Sequence, residues 1–169
     1  MSLRLINNYA RTLSGVVIAS WLVASYGHAQ NANPLTKLRG NWSGSGSISL
    51  ASGTKEKILC RSGYIIEDKV NNTLRMDLRC TGNTYKFELQ SDLSYNDGKI
   101  DGVWSELTRS ISGKMFGSIV GNQLRVIAES PIFQASIDLT TRGDSQSIRI
   151  QSPGSEMSEV LVSLNRNLK

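Results

Sequence analysis

Apolar and polar residues alternate along most of this chain, and the alternation constrains its fold more than any other feature. Leu74, Met76 and Leu78 share one parity, and Arg75, Asp77 and Arg79 take the other. The same pattern recurs in the segments 85–93, 111–119, 124–128, 133–139, 148–150 and 160–164. A period of two places successive side chains on opposite faces of a strand, so these segments predict half-buried β-strands.

The stretch NWSGSGSISL, residues 41–50, has the composition of a flexible Ser/Gly linker. Its parity indicates a strand instead. Trp42, Ile48 and Leu50 fall on the even positions, and serines occupy Ser43, Ser45, Ser47 and Ser49. We therefore interpret this stretch as the first strand, with one polar and one buried face.

Three dipeptides fit two-residue hairpin loops: Gly82-Asn83, Asp97-Gly98 and Gly121-Asn122. Each loop fixes a register in which apolar residues face one another across the hairpin. The predicted partners are Leu78 with Phe87, Tyr95 with Ile100, Leu93 with Gly102, Ile119 with Leu124, and Met115 with Ala128.

The strands number about ten and follow one another in hairpins, which predicts an all-β, antiparallel, up-and-down barrel. Closure removes the two exposed edges that an open sheet would leave. A β-sandwich is one alternative, and an outer-membrane barrel with its apolar face outward is another. Charges of both signs on the polar faces and the lack of a terminal aromatic residue favour a barrel with an apolar interior.

The N-terminal residues 1–29 have the features of a secretory signal peptide. Arg4 and Arg11 precede an apolar run of about 14 residues, shorter than the ~20 that a spanning helix needs. A retained membrane anchor is the alternative. The predicted organisation is a signal peptide (1–29), an N-terminal linker (30–38) and a barrel domain (39–169), exported to the periplasm or secreted, with no stable membrane insertion after cleavage.

Signal cleavage also changes the chemistry available to the chain. His28, the only histidine, leaves with the signal, which excludes histidine-dependent catalysis and histidine-ligated metal or haem. The formal charge falls from +5 to +3 because Arg4 and Arg11 are lost. Basic and acidic residues alternate without a basic stripe, so we expect no nucleic-acid partner. We expect no cofactor and no metal site.

The two cysteines, Cys60 and Cys80, are predicted to form a disulfide. If Ile66 faces Leu74 across the intervening loop, Cys60 lies directly opposite Cys80. Directly opposed residues are ~4.5–5.5 Å apart at Cα, within the range of a disulfide. In an exported protein such a pair is structural.

Several inward positions are glycine or alanine, among them Gly44, Gly46, Gly113 and Gly117. Inward glycines either allow strands to coil sharply or leave volume unfilled, and the sequence leaves both readings open. If volume is unfilled, a pocket for an apolar molecule results. The residues predicted to bind such a ligand are Trp42, Met76, Phe87, Trp104, Glu106, Arg109, Met115 and Phe133.

Glu106 is a polar residue that takes the inward parity of Gly102 and Trp104, opposite Leu89. Burying an unpaired carboxylate is costly, so we expect it at the barrel rim, in an ion pair with Arg109, or at the polar end of a ligand. Ser62, Ser91 and Gln146 also point inward and are candidates to hydrogen-bond it. No second acid or base converges on Glu106 and no catalytic motif is present, so no catalytic residue is assigned and no enzyme is expected.

The segment Gly40-Asn41-Trp42, opening the first strand, resembles the G-x-W start of calycin barrels. These are the lipocalins, fatty-acid-binding proteins and nitrobindin-type barrels, and the resemblance implies a barrel that binds a hydrophobic ligand. It also implies a late arginine packed on the tryptophan, for which Arg149 and Arg166 are both candidates. Nitrobindin-type haem binding needs a histidine and is not carried over.

The W-S-G-x-G start and the segment Trp104-Ser105-Glu106 with Thr108-Arg109 also resemble small exported proteins of Gram-negative bacteria without an assigned function. This resemblance implies a bacterial envelope location. Two functional hypotheses follow. The first is a non-enzymatic binder of a small apolar or amphipathic molecule. The second is an envelope interaction or scaffolding module with a solid core, in which the outward Phe116, Val120 and Ile132 make the contacts.

Overall fold

The computed structural model describes residues 33–67 and 72–167, so the predicted signal peptide lies outside the described residues. The described chain forms a short 3-10 helix, Pro34–Leu38, followed by ten strands. The strands are β1 (Gly40–Leu50), β2 (Lys55–Glu67), β3 (Thr73–Thr81), β4 (Lys86–Asn96), β5 (Lys99–Glu106), β6 (Ile111–Val120), β7 (Gln123–Glu129), β8 (Gln134–Arg142), β9 (Ser145–Gln151) and β10 (Met157–Arg166).

The ten strands close into one antiparallel barrel, which confirms the predicted fold class. Each strand pairs with its neighbour in sequence, and β1 completes the ring by pairing with β10. The Ser/Gly-rich stretch forms β1 and pairs on both sides, so it is a strand and not a linker. The β-sandwich alternative is wrong because the closed ring leaves no second sheet.

The apolar parity faces inward on every strand of this barrel. Leu74, Leu78, Ile100, Leu139 and Val160 are each at most 2% exposed. Most charged residues take the outward parity, and the charged residues with inward parity, Glu56, Glu106 and Arg166, lie near the ends of their strands. This arrangement is the reverse of the lipid-facing apolar band that characterises an outer-membrane barrel. Among the described residues, no helix is long and apolar enough to cross a bilayer.

Two of the three hairpin registers agree with the prediction. Tyr95 faces Ile100 and Leu93 faces Gly102 across the Asp97-Gly98 turn, where both turn residues have positive φ. Met115 faces Ala128 across the turn that begins at Gly121. These short loops determine their registers locally because glycine, aspartate and asparagine tolerate the required backbone angles.

The predicted register between β3 and β4 is wrong by two residues. Leu78 faces Leu89 and not Phe87, because the loop has four residues, 82–85, instead of two. The Gly82 N–H donates to the Tyr85 carbonyl, and the Glu56 carboxylate accepts hydrogen bonds from the Thr84 and Tyr85 N–H groups. A register shift of two residues leaves the same side chains pointing inward. The prediction of which residues face the core is therefore still correct.

The part of the predicted linker (30–38) that the structure describes begins at residue 33 and has regular structure. Pro34–Leu38 forms a 3-10 helix in which Leu35 and Leu38 are buried in the barrel core. The Asn33 side chain caps this helix by accepting from the Leu35 N–H at 2.9 Å, and proline occupies its first position. Two leucines spaced three apart are too short a pattern for a helical period to be recognised in the sequence.

The predicted disulfide is present. Cys60 and Cys80 are bonded, and their Cα atoms are 4.2 Å apart on adjacent strands β2 and β3. The register that places them opposite each other also places Ile66 opposite Leu74, as predicted.

Candidate functional site

The interior of the barrel is almost completely filled. An enclosed void within the barrel has a volume of about 20 Å³ and is lined by apolar side chains that include Met76, Leu93, Met115, Leu139 and Ile148. This volume is about that of a single water molecule. Pockets for small molecules usually have ~300 Å³ or more. In this geometry the interior is a solid core.

The inward glycines explain how the interior is filled. A Cβ added at Gly44 would overlap the Ser163 carbonyl and come within 2.9 Å of the Leu164 Cα on β10. At Gly117 it would overlap the Arg125 carbonyl and come within 2.7 Å of the Val126 Cα on β7. The glycines therefore allow neighbouring backbones to approach and the sheet to coil, which is the first of the two readings that the sequence left open.

Trp42 lies at the end of the barrel that the 3-10 helix covers. Its indole N–H donates to the Leu38 carbonyl at 2.9 Å, and its side chain is fully buried. The Arg166 guanidinium lies over the Trp42 ring, 4.1 Å from its centre. Of the two candidate arginines, Arg166 packs on Trp42, whereas Arg149 pairs with Glu159 on the outer surface. Trp42 closes this end of the barrel.

A buried polar chain lies near Trp42. The Tyr64 hydroxyl donates to Gln146 Oε1 at 2.7 Å, and the Gln146 amide donates to the Thr141 hydroxyl at 3.2 Å. Complete burial raises the pKa of Tyr64 to about 12. Each of these three side chains has a hydrogen-bond partner. The series of hydrogen bonds therefore crosses the core from β2 to β9 without leaving any of the three side chains unpaired.

Trp104 and Phe133 lie near the opposite end of the barrel. Their ring centres are 5.7 Å apart, and the Trp104 indole N–H lies 3.1 Å from the Lys114 carbonyl oxygen and 3.3 Å from that of Glu129. Phe87 is also buried in the core. The predicted ligand-lining residues therefore pack against one another and against backbone, and the void between them admits no small molecule in this geometry.

Glu106 lies at the rim and caps the turn between β5 and β6. Its carboxylate accepts from the N–H groups of Thr108 at 3.1 Å and Arg109 at 2.8 Å, from the Thr108 hydroxyl at 2.5 Å and from the Glu88 N–H at 3.0 Å. Arg109 forms the predicted ion pair with Glu106 at 3.5 Å and lies over the Tyr85 ring. Burial alone would raise the pKa of Glu106, but these hydrogen bonds outweigh it and hold that pKa below its usual range.

The predicted hydrogen bonds to Glu106 from three inward polar residues are wrong. Ser62 donates to the Asp77 carbonyl at 2.8 Å, and Gln146 bonds Tyr64 and Thr141, all at the other end of the barrel. Ser91 is buried, and its hydroxyl has no hydrogen-bond partner among the described residues. The alternation predicts that these side chains point into the barrel, but it does not predict their position along the barrel axis.

A large concavity lies on the outside of the barrel. A groove with a volume of about 1260 Å³ crosses β2, β1, β10, β9 and β8, with Lys57, Leu59, Ser45, Ser163 and Arg149 among its lining residues. A second depression of about 570 Å³ lies next to it and shares Leu59 and Thr81 in its lining. We call these two together the outer groove. The outer groove offers room that the interior lacks.

The outer groove has a basic lining. Five basic side chains line it against two acidic ones. The two acidic side chains are engaged elsewhere: Asp138 pairs with Arg125, and Glu56 accepts hydrogen bonds from Thr84, which hold its pKa below the usual range. Leu59 is 73% exposed and provides an apolar contact between the cations.

The outward apolar residues that the sequence singled out are exposed as expected. Phe116 is 40%, Val120 is 76% and Ile132 is 72% exposed. Leu59 and Ile65 on β2 are equally prominent, and the sequence reading did not single them out. The signal that could have found Leu59 is its position between Lys57 and Arg61, where it interrupts the polar parity of β2.

The sequence reading also missed the outer groove itself. Its serines have the polar parity of any solvent-facing strand, and nothing in the sequence shows that the strands which carry them form a concave surface. In the described ranges, no group of three or more histidine, cysteine, aspartate or glutamate side chains is arranged to hold a metal ion.

The fold, but not the sequence, is similar to that of known proteins. No family model matches the sequence, and no curated protein matches it significantly. The structure is similar to the S-type phycobiliprotein lyase CPES from Guillardia theta, with a TM-score of 0.58 and 10% identity over 80% of this chain and 91% of the lyase. It is also similar to Rv2717c from M. tuberculosis, with a TM-score of 0.63 and 15% identity over 79% of this chain and 95% of Rv2717c. At these identities the similarity establishes a shared barrel fold.

Proposed function

We propose that the protein is an exported, non-enzymatic binding module that acts through the outer surface of a solid barrel. The observation that carries this proposal is that the accessible volume lies outside the barrel and not inside it. The interior void measures about 20 Å³, and the larger part of the outer groove measures about 1260 Å³. A binding site needs accessible volume lined by groups that can engage a partner, and the outer groove meets that condition.

Export is part of the proposal and is supported by the disulfide. The Cys60–Cys80 bond belongs to an oxidising compartment such as the periplasm or the extracellular space. The apolar run behind Arg4 and Arg11 supplies the secretory leader that export requires. The non-enzymatic role is supported by Glu106, because its carboxylate is engaged by the turn that it caps.

A second candidate function is the binding of a small apolar or amphipathic molecule inside the barrel. It is favoured by the apolar character of the core and by the fold shared with a phycobiliprotein lyase. This function would require the interior to open beyond the geometry described here, with Met76 and Met115 adopting other rotamers. Methionine side chains are flexible enough to repack in this way.

Native mass spectrometry of the protein purified from an exporting Gram-negative host tests the proposal. We expect the mass of the chain without residues 1–29 and without two cysteine hydrogens, and no further bound mass. A bound small molecule that disappears in a Trp104→Ala variant would contradict the proposal and support the interior site. As a positive control, Met115→Ala opens space in the core, and it should bind benzene or a similar apolar probe where the native protein does not.

A further inference from the structure

Two arginines face each other on the outer surface of β2 and β3. Arg61 and Arg79 are directly opposed in the register, next to the Cys60–Cys80 disulfide. Like charges in directly opposed positions destabilise a sheet. Arg79 is partly compensated by Glu88 at 2.7 Å, but Arg61 forms no ion pair within the described part of the chain. The arrangement leaves an excess of positive charge in the smaller depression of the outer groove.

The positive charge continues along β2. Lys57 lines the larger depression and, like Arg61, makes no ion pair with any residue that the structure describes. Two other outward arginines differ from these cations, since Arg149 on β9 pairs with Glu159 and Arg125 on β7 pairs with Asp138. Lys99 and Lys114, on β5 and β6, also make no ion pair among the described residues, so Lys57 and Arg61 are distinguished by their place in the outer groove, where a concave surface can hold a ligand against them.

We propose that the outer groove binds an acidic polysaccharide, with a carboxylate of the sugar chain held between Arg61 and Arg79 and a second one at Lys57. This inference rests on the proposed function, because it assigns a ligand class to the same outer surface. Guanidinium groups bind carboxylates through charge-assisted hydrogen bonds. An anion between Arg61 and Arg79 would remove the repulsion that the free protein retains.

The groove floor favours a sugar chain over other polyanions. Ser45, Ser163 and Ser147 are directly opposed on one rung across β1, β10 and β9, and their hydroxyls can both donate to and accept from sugar hydroxyls. No aromatic side chain is among the residues that line the groove. Proteins that bind single-stranded nucleic acids combine a basic groove with aromatic rings on which the bases stack, and this lining has no such rings.

The test is a titration of the processed protein with an oligomer of galacturonic acid. The groove variant Lys57→Gln/Arg61→Gln removes two exposed cations from the site. The control variant Lys99→Gln/Lys114→Gln removes two exposed cations from β5 and β6, away from the groove lining. We expect affinity to fall at least about tenfold in the groove variant and less than about twofold in the control. In an NMR titration, amide signals of β1 and β2 should shift and those of β5 to β7 should not.

Three results would overturn the inference. They are an equal loss in both variants, binding of neutral dextran with the same affinity, and a native protein that does not bind the acidic oligomer. Binding of oligothymidylate that is as tight and as sensitive to the groove variant would assign the site to nucleic acid instead. The proposed function would be contradicted by a different result, a small molecule bound inside the barrel in native mass spectrometry. A failure of this inference is therefore distinguishable from a failure of the proposed function.

Discussion

The guanidinium of Arg166 lies 4.1 Å from the centre of the Trp42 ring, and this contact joins the last strand of the barrel to the first. Trp42 and Arg166 are also directly opposed in the β1–β10 pairing. The same guanidinium donates to the carbonyls of Lys37 and Arg39 and pairs with Asp144. One side chain thus holds together the closing seam, the 3-10 helix and the β8–β9 turn.

Replacing Arg166 with alanine should lower the free energy of unfolding by about 2 kcal/mol or more, because both the ring contact and charge-assisted hydrogen bonds are lost. Urea unfolding measures the change. Arg149→Ala is the matched control, since it removes an exposed ion pair on the outer surface and should cost less than about 1 kcal/mol.

Arg166→Lys separates the geometry of this contact from its charge. An ammonium group cannot stack on the indole and reach several acceptors at once, so lysine should restore little of the lost stability. Full recovery with lysine would show that charge alone holds the seam.

The close approach of strands at the inward glycines gives a second prediction. Gly44→Ala should destabilise the barrel by roughly 1–3 kcal/mol, because its Cβ would collide with the β10 backbone. Gly63→Ala is the control in the adjacent strand, where the added Cβ would lie 3.5 Å from Asn41 Oδ1, an ordinary contact. Chemical denaturation of both variants measures the difference, and equal effects would indicate that Gly44 does not have a steric role.

The sequence predicted the faces of the strands well because parity is a local property. It failed at the β3–β4 loop because the loop conformation depends on Glu56, a residue 28 positions before Thr84. It could not decide whether the barrel is hollow, since parity tells which side chains point inward and not how closely Gly44 brings β1 to β10. The outer groove escaped prediction for a related reason: its concavity depends on strand coiling, which no single residue encodes.

Two buried serines provide a third prediction. Ser91→Ala should leave stability unchanged or raise it by about 1 kcal/mol, because its buried hydroxyl has no partner in the described structure. Ser62→Ala should lower stability by about 1 kcal/mol, since it removes the hydrogen bond to the Asp77 carbonyl. Thermal unfolding of the two variants compares them, and a clear loss in Ser91→Ala would reveal a hydrogen bond to bound water.

Reduction of the disulfide should destabilise the protein by roughly 3 kcal/mol, the entropy of closing a loop of about 20 residues. Cys60 and Cys80 are 20 positions apart in the chain. Urea unfolding with and without a thiol reductant measures the effect. A Cys60→Ala/Cys80→Ala variant should have the stability of the reduced protein and should not respond to the reductant, and any response would point to an effect unrelated to this bond.

The lowered pKa of Glu106 predicts how the free energy of unfolding depends on pH. Its pKa is lower in the folded protein than the usual 4.5 because hydrogen bonds from Thr108, Glu88 and Arg109 outweigh the effect of burial. A lowered folded-state pKa means that the unfolded chain binds the proton more tightly. The carboxylate therefore stabilises the fold above about pH 4.5, and that contribution is lost as the pH falls through the folded-state pKa.

Urea unfolding between neutral pH and about pH 3 measures this dependence. Glu106→Gln should be less stable than the native protein at neutral pH, and its stability should fall less steeply on acidification. Glu156→Gln is the control, because its carboxyl is exposed on a turn at the same end of the barrel and makes no hydrogen bond or ion pair among the described residues. It should follow the native curve. If Glu106→Gln also follows the native curve, the turn does not depend on the ionised carboxylate, and the lowered pKa has no consequence for stability.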